Sequence, residues 1–277
     1  MLAERDRSGR GHRPTVVLRW AAVLLALALI AEGSLALADR LMGGGPARHS
    51  DNNSGSQAES SSANGRKTAS HSPPGYSPEQ TAAHPPLSSP VDYDHDGVDD
   101  YTAMVRGAHQ EVRRHPRYDS GYYQGGYPPN DRGACTDEIW RAFRQAGYDL
   151  KAMVDADIAS SPGAYAGVIS SPDQNIDFRR TNVLGAFLSR HAQRLTNDTS
   201  ATDQWQQGDI VIFGTSWHIG MASDRRDGRG VPLLLHNMGQ RARENDYLGS
   251  PGHRPVTGHF RFDASKIRPA VLRPWRG

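Results

Sequence analysis

The apolar pattern of this chain changes period once, and that change limits the architectures open to it. In "YTAMVRGAHQEVRR", Met104, Val105, Ala108 and Val112 are spaced for one face of a helix. In "TDEIWRAFRQA", Ile139, Phe143 and Ala146 line one face, and Gly147 ends the run. "NVLGAFLSRHAQRL" reads as a third helix. After it, "GDIVIF", "HIGMAS", "PLLLHN" and "TGHFRF" are short β-rich runs separated by turn residues, the pattern of an antiparallel sheet. Helices first and strands after predict an α+β domain. A loop rich in Tyr and Gly follows the first helix, and there are no internal repeats.

That domain is expected to occupy residues 91–277 of the 277-residue chain. Hydrophobic residues make up only 36 % of the sequence, which implies that part of it has no packed core. Residues 39–90 fit that description. They are rich in Ser, Gly, Pro, Asn and His ("HSDNNSGSQAESSSANG") and read as a linker.

Residues 1–38 read as a targeting segment. Arg5, Arg7, Arg10, Arg13 and Arg19 precede the apolar run "WAAVLLALALI", and Ala36-Leu37-Ala38 has the small-x-small form of a cleavage site. The alternative is an uncleaved anchor over residues 20–38, although Glu32 interrupts it. Either way the bulk of the chain is expected outside the cytoplasm, in the cell envelope or secreted, because the arginines stay inside. No cysteine follows the apolar run, which argues against a lipidated N-terminus. Membrane contact is expected only through this segment if it stays uncleaved. The net charge of +2 implies no long basic face and argues against nucleic acid as a partner.

Cys135 is the chain's only cysteine, so it cannot form an internal disulfide. It is either an inert buried residue or a reactive thiol. It sits where the second helix begins, and backbone N–H groups and the helix dipole stabilise a thiolate there. Asp137 and Glu138 in the same turn oppose that effect. A cysteine nucleophile needs an imidazole base and a third polar group to orient the base. His218 opens one predicted strand and His236 sits near the end of the next. If the two strands are antiparallel neighbours, both imidazoles stand at one end of the sheet, and a helix N-terminus packed there completes a Cys–His–His line. The same three residues also suit zinc, though no second cysteine or close His-x-His spacing supports a metal site.

The order "YYQGG…GACTD…QQGDIVIFGTSWHIGMAS…LLLHN" resembles the NlpC-type cell-wall peptidases of the papain-like superfamily. Within that superfamily, residues from about 92 to 263 resemble a bacterial envelope family, domain of unknown function 1287. The stretches that carry this are "DYDHDGVDDYT", "GACTDEIWRAFRQAGYDL", "NIDFRR", "GDIVIF", "HIGMASD", "LLLHNMG" and "TGHFRF". The resemblance implies a papain-like fold with N-terminal helices packed on an antiparallel sheet. It implies Cys135 as nucleophile, His218 as general base, His236 as orienting residue and Tyr122 as a loop tyrosine at the substrate. The NlpC pattern reads Asp-Cys-Ser, whereas Ala134 and Thr136 flank the cysteine here.

Two further motifs bear on ligands. Arg179 and Arg180 of "NIDFRR" offer a fork for a substrate carboxylate; the alternative is a structural ion pair, for example with Asp177. "DYDHDGVDD" sets Asp92, Asp94, Asp96 and Asp100 at positions one, three, five and nine of a calcium-loop spacing, with Gly97 at six. Position twelve is Ala103, so the bidentate Glu of an EF-hand is missing, and an Asp-rich turn capping the next helix is the alternative. Together these features predict an exported thiol hydrolase of amide bonds, acting on peptidoglycan or its peptides. It requires no cofactor, with structural calcium as the one candidate. The competing readings are a non-catalytic wall- or calcium-binding module with a vestigial site, and an acyltransferase on the same fold.

Overall fold

The computed structural model describes residues 72–239 and 241–277. The expected targeting segment, 1–38, and most of the expected linker lie outside these residues. Among the described residues no helix is long and apolar enough to cross a membrane.

The helices begin where capping side chains allow it. A short helix, α1, spans Pro78–Ala83, with the Ser77 hydroxyl accepting from the Gln80 N–H. The first long helix, α2, spans Asp100–Arg114; Asp99 caps it by accepting from the Thr102 N–H. Helix α3 spans Cys135–Gln145 and α4 spans Leu150–Ser160. Helix α5 spans Thr181–His191 and buries Val183, Leu184, Phe187 and Leu188. The sequence reading does not anticipate α4, although Leu150, Met153, Val154 and Ile158 are buried at helical spacing and Asp149 caps its start.

Two glycines decide how α3 is seated. Gly107 of α2 faces α3 so closely that an added Cβ would lie 3.0 Å from Ala142 Cα, so only glycine lets the two helices meet there. Gly147 takes a left-handed φ of 78° just past the end of α3, as the sequence predicts for a helix stop.

Eight strands follow in chain order: β1 Arg117–Tyr118, β2 Arg132–Gly133, β3 Gln193–Arg194, β4 Ile210–Phe213, β5 His218–Arg226, β6 Pro232–His236, β7 Arg243–Asn245 and β8 Val256–Arg261. β1 and β2 form a small parallel pair. The other six make one antiparallel sheet in the order β3-β8-β4-β5-β6-β7. The α+β class and the antiparallel sheet are therefore as the sequence predicts.

Both faces of the sheet are covered. Ile210, Ile212, Ile219, Met221, Leu235 and Phe260 join the core built with the long helices. Val211, Phe213 and Leu234 pack on the other side with Trp205, Val231 and Leu248. This explains why β4 and β6 read as continuous apolar runs rather than alternating ones. Each fully buried Phe or Leu here contributes about 1.5–3 kcal/mol relative to exposure.

At the start of β4, Asp209 organises a buried polar cluster. Its Oδ2 accepts from His259 Nε2 at 2.8 Å, and its carboxylate takes Arg261 through Nε at 2.7 Å. His259 Nδ1 lies 2.6 Å from the Thr196 carbonyl, and the ring stacks on Trp205 with centroids 3.6 Å apart.

The expected linker boundary at residue 90 moves toward the N-terminus. Tyr76 bridges to Asp227, the Ser77 N–H donates to the Arg226 carbonyl at 2.8 Å, and the Arg226 N–H donates to Thr81 Oγ1 at 2.9 Å. These residues are held by polar bonds to the end of β5. No residue of α1 is buried, so there was no apolar periodicity to find.

Candidate active site

Cys135 is the first residue of α3, and His218 is the first residue of β5, paired with Phe213 at the end of β4. Helix α3 packs on β5, so the cysteine and the histidine come to one place. Both line a cavity of roughly 320 Å³ together with Tyr118, Trp217, Met238 and Gly239. β5 and β6 are antiparallel neighbours, as the sequence argument requires. His218 Nε2 lies 2.9 Å from His236 Nδ1, and His236 Nε2 lies 3.1 Å from Asn245 Oδ1 on β7. The line of polar groups is thus one residue longer than expected.

The sulfur has a different immediate partner. Cys135 Sγ lies 3.9 Å from Thr181 Oγ1 at the start of α5, and no hydrogen bond joins it to His218 among the described residues. Cys135 as a whole residue is 8 % exposed. Burial pushes the thiol up from its ordinary value, against the pull of the Ile219 amide and the Thr181 hydroxyl. Burial lowers His218 to about 3, with His236 adding to the effect, and lowers His236 to about 4. Phe213 stacks on His218, and Tyr247 stacks on His236, which keeps both rings dry. At neutral pH the site therefore rests as a thiol and two neutral imidazoles.

Of the two acids expected to oppose a thiolate, Asp137 does so, adding to the rise of the thiol even though its own carboxylate is ion-paired. Asp137 is fully matched: Arg179 binds it through Nε at 2.7 Å and Nη2 at 2.9 Å, and its Oδ2 also accepts the Ala134 N–H at 2.6 Å. It holds the turn that presents Cys135. Glu138 is 1 % exposed with no partner for either carboxylate oxygen. Burial raises it well above the ordinary carboxylate range, which disfavours its charged form there.

Three expected ligand-binding residues are placed elsewhere. Arg179 is not a substrate fork. Its guanidinium is buried on Asp137, and its Nη1 also donates to the Gly121 carbonyl at 2.7 Å, tying the Tyr/Gly loop to α3. Arg180 pairs with Asp177 at 2.9 Å, so the two guanidinium groups serve different carboxylates rather than one shared ligand. Tyr122 is 57 % exposed, donates to Asp173 Oδ1 and accepts from Asn175; it does not line the cavity, whereas Tyr118 does.

The calcium spacing is partly withdrawn as well. Asp92, Asp94 and Asp96 offer oxygens within 4.8 Å of one another. Asp100 is not with them. It is buried, its Oδ2 accepts from the Tyr148 hydroxyl at 2.6 Å and its Oδ1 from the Tyr93 N–H at 2.9 Å; burial raises it to about 6. The other grouping of this kind among the described residues is His109, Asp224 and Glu244. Its acids are already matched by His109 and Arg225. Cys135, His218 and His236 are not among the groupings whose ligand atoms all lie within 4.8 Å of one another.

These features define a mixed helix-and-sheet protein that gathers one helix-capping thiol and a histidine pair at one end of an antiparallel sheet. The chain belongs to a family described as domain of unknown function 1287, whose pattern matches residues 105–262. It is 35 % identical over 173 residues to "Uncharacterized protein YijF" of Escherichia coli strain K12, a match covering 58 % of this chain and 80 % of that one. No solved structure matches the chain.

Sequence reasoning expected Cys135, His218 and His236 at one end of the sheet, and the structure places Cys135 and His218 at one cavity with His236 beside His218. That reasoning missed Thr181, Tyr118, Trp217 and Asn245. Trp217 adjoins His218, so its place at the cavity could have been inferred from the strand. Asn245 sits in the polar three-residue strand "REN", which carries no apolar signal at all.

Proposed function

We propose that the protein is an exported thiol hydrolase of amide bonds, with the papain-like arrangement of the NlpC-type peptidases and with peptidoglycan stem peptides as substrate. The observation that carries this reading is the shared cavity of Cys135 and His218, with His218 Nε2 already engaged by His236. Nδ1 of His218 is then the nitrogen left to take a proton from the thiol.

In this reaction His218 removes the Sγ proton as a substrate carbonyl enters, and the sulfur attacks the carbonyl carbon. The resulting imidazolium gives its proton to the leaving amine, and a thioester forms. Water, deprotonated by His218, then releases the acid and restores the thiol. His236 holds the base in orientation. Because the resting site is neutral, His218 works as a general base on a thiol and not as the partner of a standing thiolate. Transfer to an acceptor amine in place of water would make the same site an acyltransferase.

A second reading is favoured by a specific observation. Cys135 is 8 % exposed as a whole residue and its sulfur neighbours Thr181 Oγ1 rather than His218, as suits a non-catalytic binding module. In either case Asp92, Asp94 and Asp96 are the groups proposed to hold structural calcium. Incubation of the purified protein with isolated peptidoglycan, with products read by mass spectrometry, tests the enzyme. New amine and carboxyl termini that vanish in Cys135→Ser support it. Intact peptidoglycan that still retains the protein supports the binding module.

A further inference from the structure

We propose that Asn245 is a positioning residue that sets the tautomers of both histidines, through a one-way chain of hydrogen bonds that begins at the Tyr247 backbone. The proposal rests on the reading of His218 as the base.

The chain is fixed by donors and acceptors alone. The Tyr247 N–H donates to Asn245 Oδ1 at 3.1 Å. A backbone N–H is always a donor, so the amide atom facing it must be the oxygen. That same oxygen lies 3.1 Å from His236 Nε2. An oxygen acceptor there requires His236 Nε2 to carry the proton. The ring is neutral at ordinary pH, so its Nδ1 is bare. A bare Nδ1 lies 2.9 Å from His218 Nε2, which must therefore donate. His218 is neutral too, so its own Nδ1 keeps a free lone pair. No partner for that nitrogen is found among the described residues, and His218 lines the cavity with Cys135.

The reverse chain fails at its first link. If His236 carried its proton on Nδ1, its bare Nε2 would face the amide. Turning the amide would bring its NH₂ to that nitrogen, but would set the same group against the Tyr247 N–H, donor to donor. The site gives no water easy entry to relieve this, since His236 is 1 % exposed and Tyr247 stacks on its ring at 5.5 Å. The register supports the arrangement. β6 and β7 pair with Leu234 opposite Asn245 and His236 opposite Arg243, which puts Asn245 on the same sheet face as His236.

An asparagine is suited to this role in a way an aspartate is not. It supplies an oxygen without a charge, so it directs the proton on His236 without drawing a second one onto the ring. The consequence for the proposed reaction is a base whose lone pair is already on the correct nitrogen before substrate arrives.

The test uses the full chain with ¹⁵N-labelled histidine and reads the ring nitrogens by NMR at neutral pH, without substrate. We expect His218 and His236 both as Nε2–H tautomers in the unmodified protein. Either ring found as Nδ1–H overturns the proposal, and this measurement needs no variant to fold. In Asn245→Ala, His236 should populate the Nδ1–H form and His218 should follow it, with Cys135 alkylation at neutral pH slowed about tenfold or more. Unchanged tautomers in that variant also overturn it. Asn245→Asp keeps an oxygen acceptor and should restore the Nε2–H forms, while shifting the acid limb of the alkylation profile to higher pH. A structural role alone would not separate the two variants in this way. Because the tautomers are read in the resting protein, their assignment stands or falls separately from whether peptidoglycan is cut.

Discussion

The two ends of β4 each bury a histidine cluster, and the clusters are built on opposite terms. At the start of the strand, both nitrogens of His259 face oxygens, the Thr196 carbonyl and the Asp209 carboxylate. The carboxylate that the ring faces also takes Arg261. At the far end, His218 and His236 face each other, with one uncharged amide behind them and aromatic rings around them. The first cluster is closed: every nitrogen is spent on structure. The second leaves one nitrogen unspent beside a cavity. What separates a structural histidine from a candidate catalytic one here is not burial, which is nearly complete in both, but whether the hydrogen-bond account is left open.

The largest effect that would break the comparison concerns turnover. Cys135→Ser and His218→Ala should each lower peptidoglycan cleavage by at least about 10³-fold with the fold intact, measured by product mass spectrometry beside circular dichroism. Loss of turnover with His259→Ala at unchanged stability would mean the clusters have been assigned the wrong way round.

The next effect is on stability, and it should follow the opposite pattern. His259→Ala leaves the buried Asp209 without one partner and should cost about 3–5 kcal/mol in urea unfolding. The folded fraction should alkylate Cys135 at the normal rate. His236→Ala removes only an orienting group; turnover should fall by roughly 10–100-fold, less than for the nucleophile or the base.

Acid sharpens the contrast further. His218 and His236 titrate near 6.5 when unfolded, but at about 3 and about 4 in the folded protein. Below pH 6.5 the unfolded chain binds protons that the folded chain refuses. The stability these two rings contribute is therefore full above about pH 6.5 and is lost as the pH falls toward 4. Replacing both with Asn should flatten the fall in Tm over that window relative to the parent. A parallel fall in parent and variant would place the acid-sensitive groups elsewhere.

The smallest effect is calcium. If Asp92, Asp94 and Asp96 hold it, a concentration about ten times Kd should add roughly 1.4 kcal/mol by mass action, seen as a rise in Tm. Asp94→Ala combined with Asp96→Ala should abolish the rise. A parent protein indifferent to millimolar calcium leaves these acids as a loop-and-cap structure.

How much of this was legible follows from the kind of force involved. The three expected helices and four expected strands stood out because apolar burial imposes a period on the sequence, and all seven occur. Cys135, His218 and His236 were legible because a helix start and two adjacent strand ends can be located from that period alone. The rest depends on polar bonds, which leave no period. Arg179 and Asp137 lie far apart in sequence, and nothing in "NIDFRR" says that its arginine will be spent on the turn behind the cysteine. Asp100 fits a calcium spacing by position, yet it is turned inward by Tyr148, a residue from the far side of α3. Tyr118 and Tyr122 are near neighbours in one loop, and only the pairing of β1 with β2 sets the former at the cavity. Asn245 was beyond reach because its strand is held by pairing with β6 rather than by a buried face of its own.

The burial of Cys135 has a consequence for the lifetime of the protein. Oxidants such as peroxides attack the thiolate, and the first product, a sulfenic acid, is on the way to irreversible acids unless another thiol rescues it. This chain has no second cysteine to offer that rescue. Cys135 is 8 % exposed as a whole residue, burial favours its protonated form and its sulfur lies 3.9 Å from Thr181 Oγ1, so it presents little thiolate to such reagents. The same placement keeps the chain's one thiol mostly in the protonated form, which peroxides attack slowly.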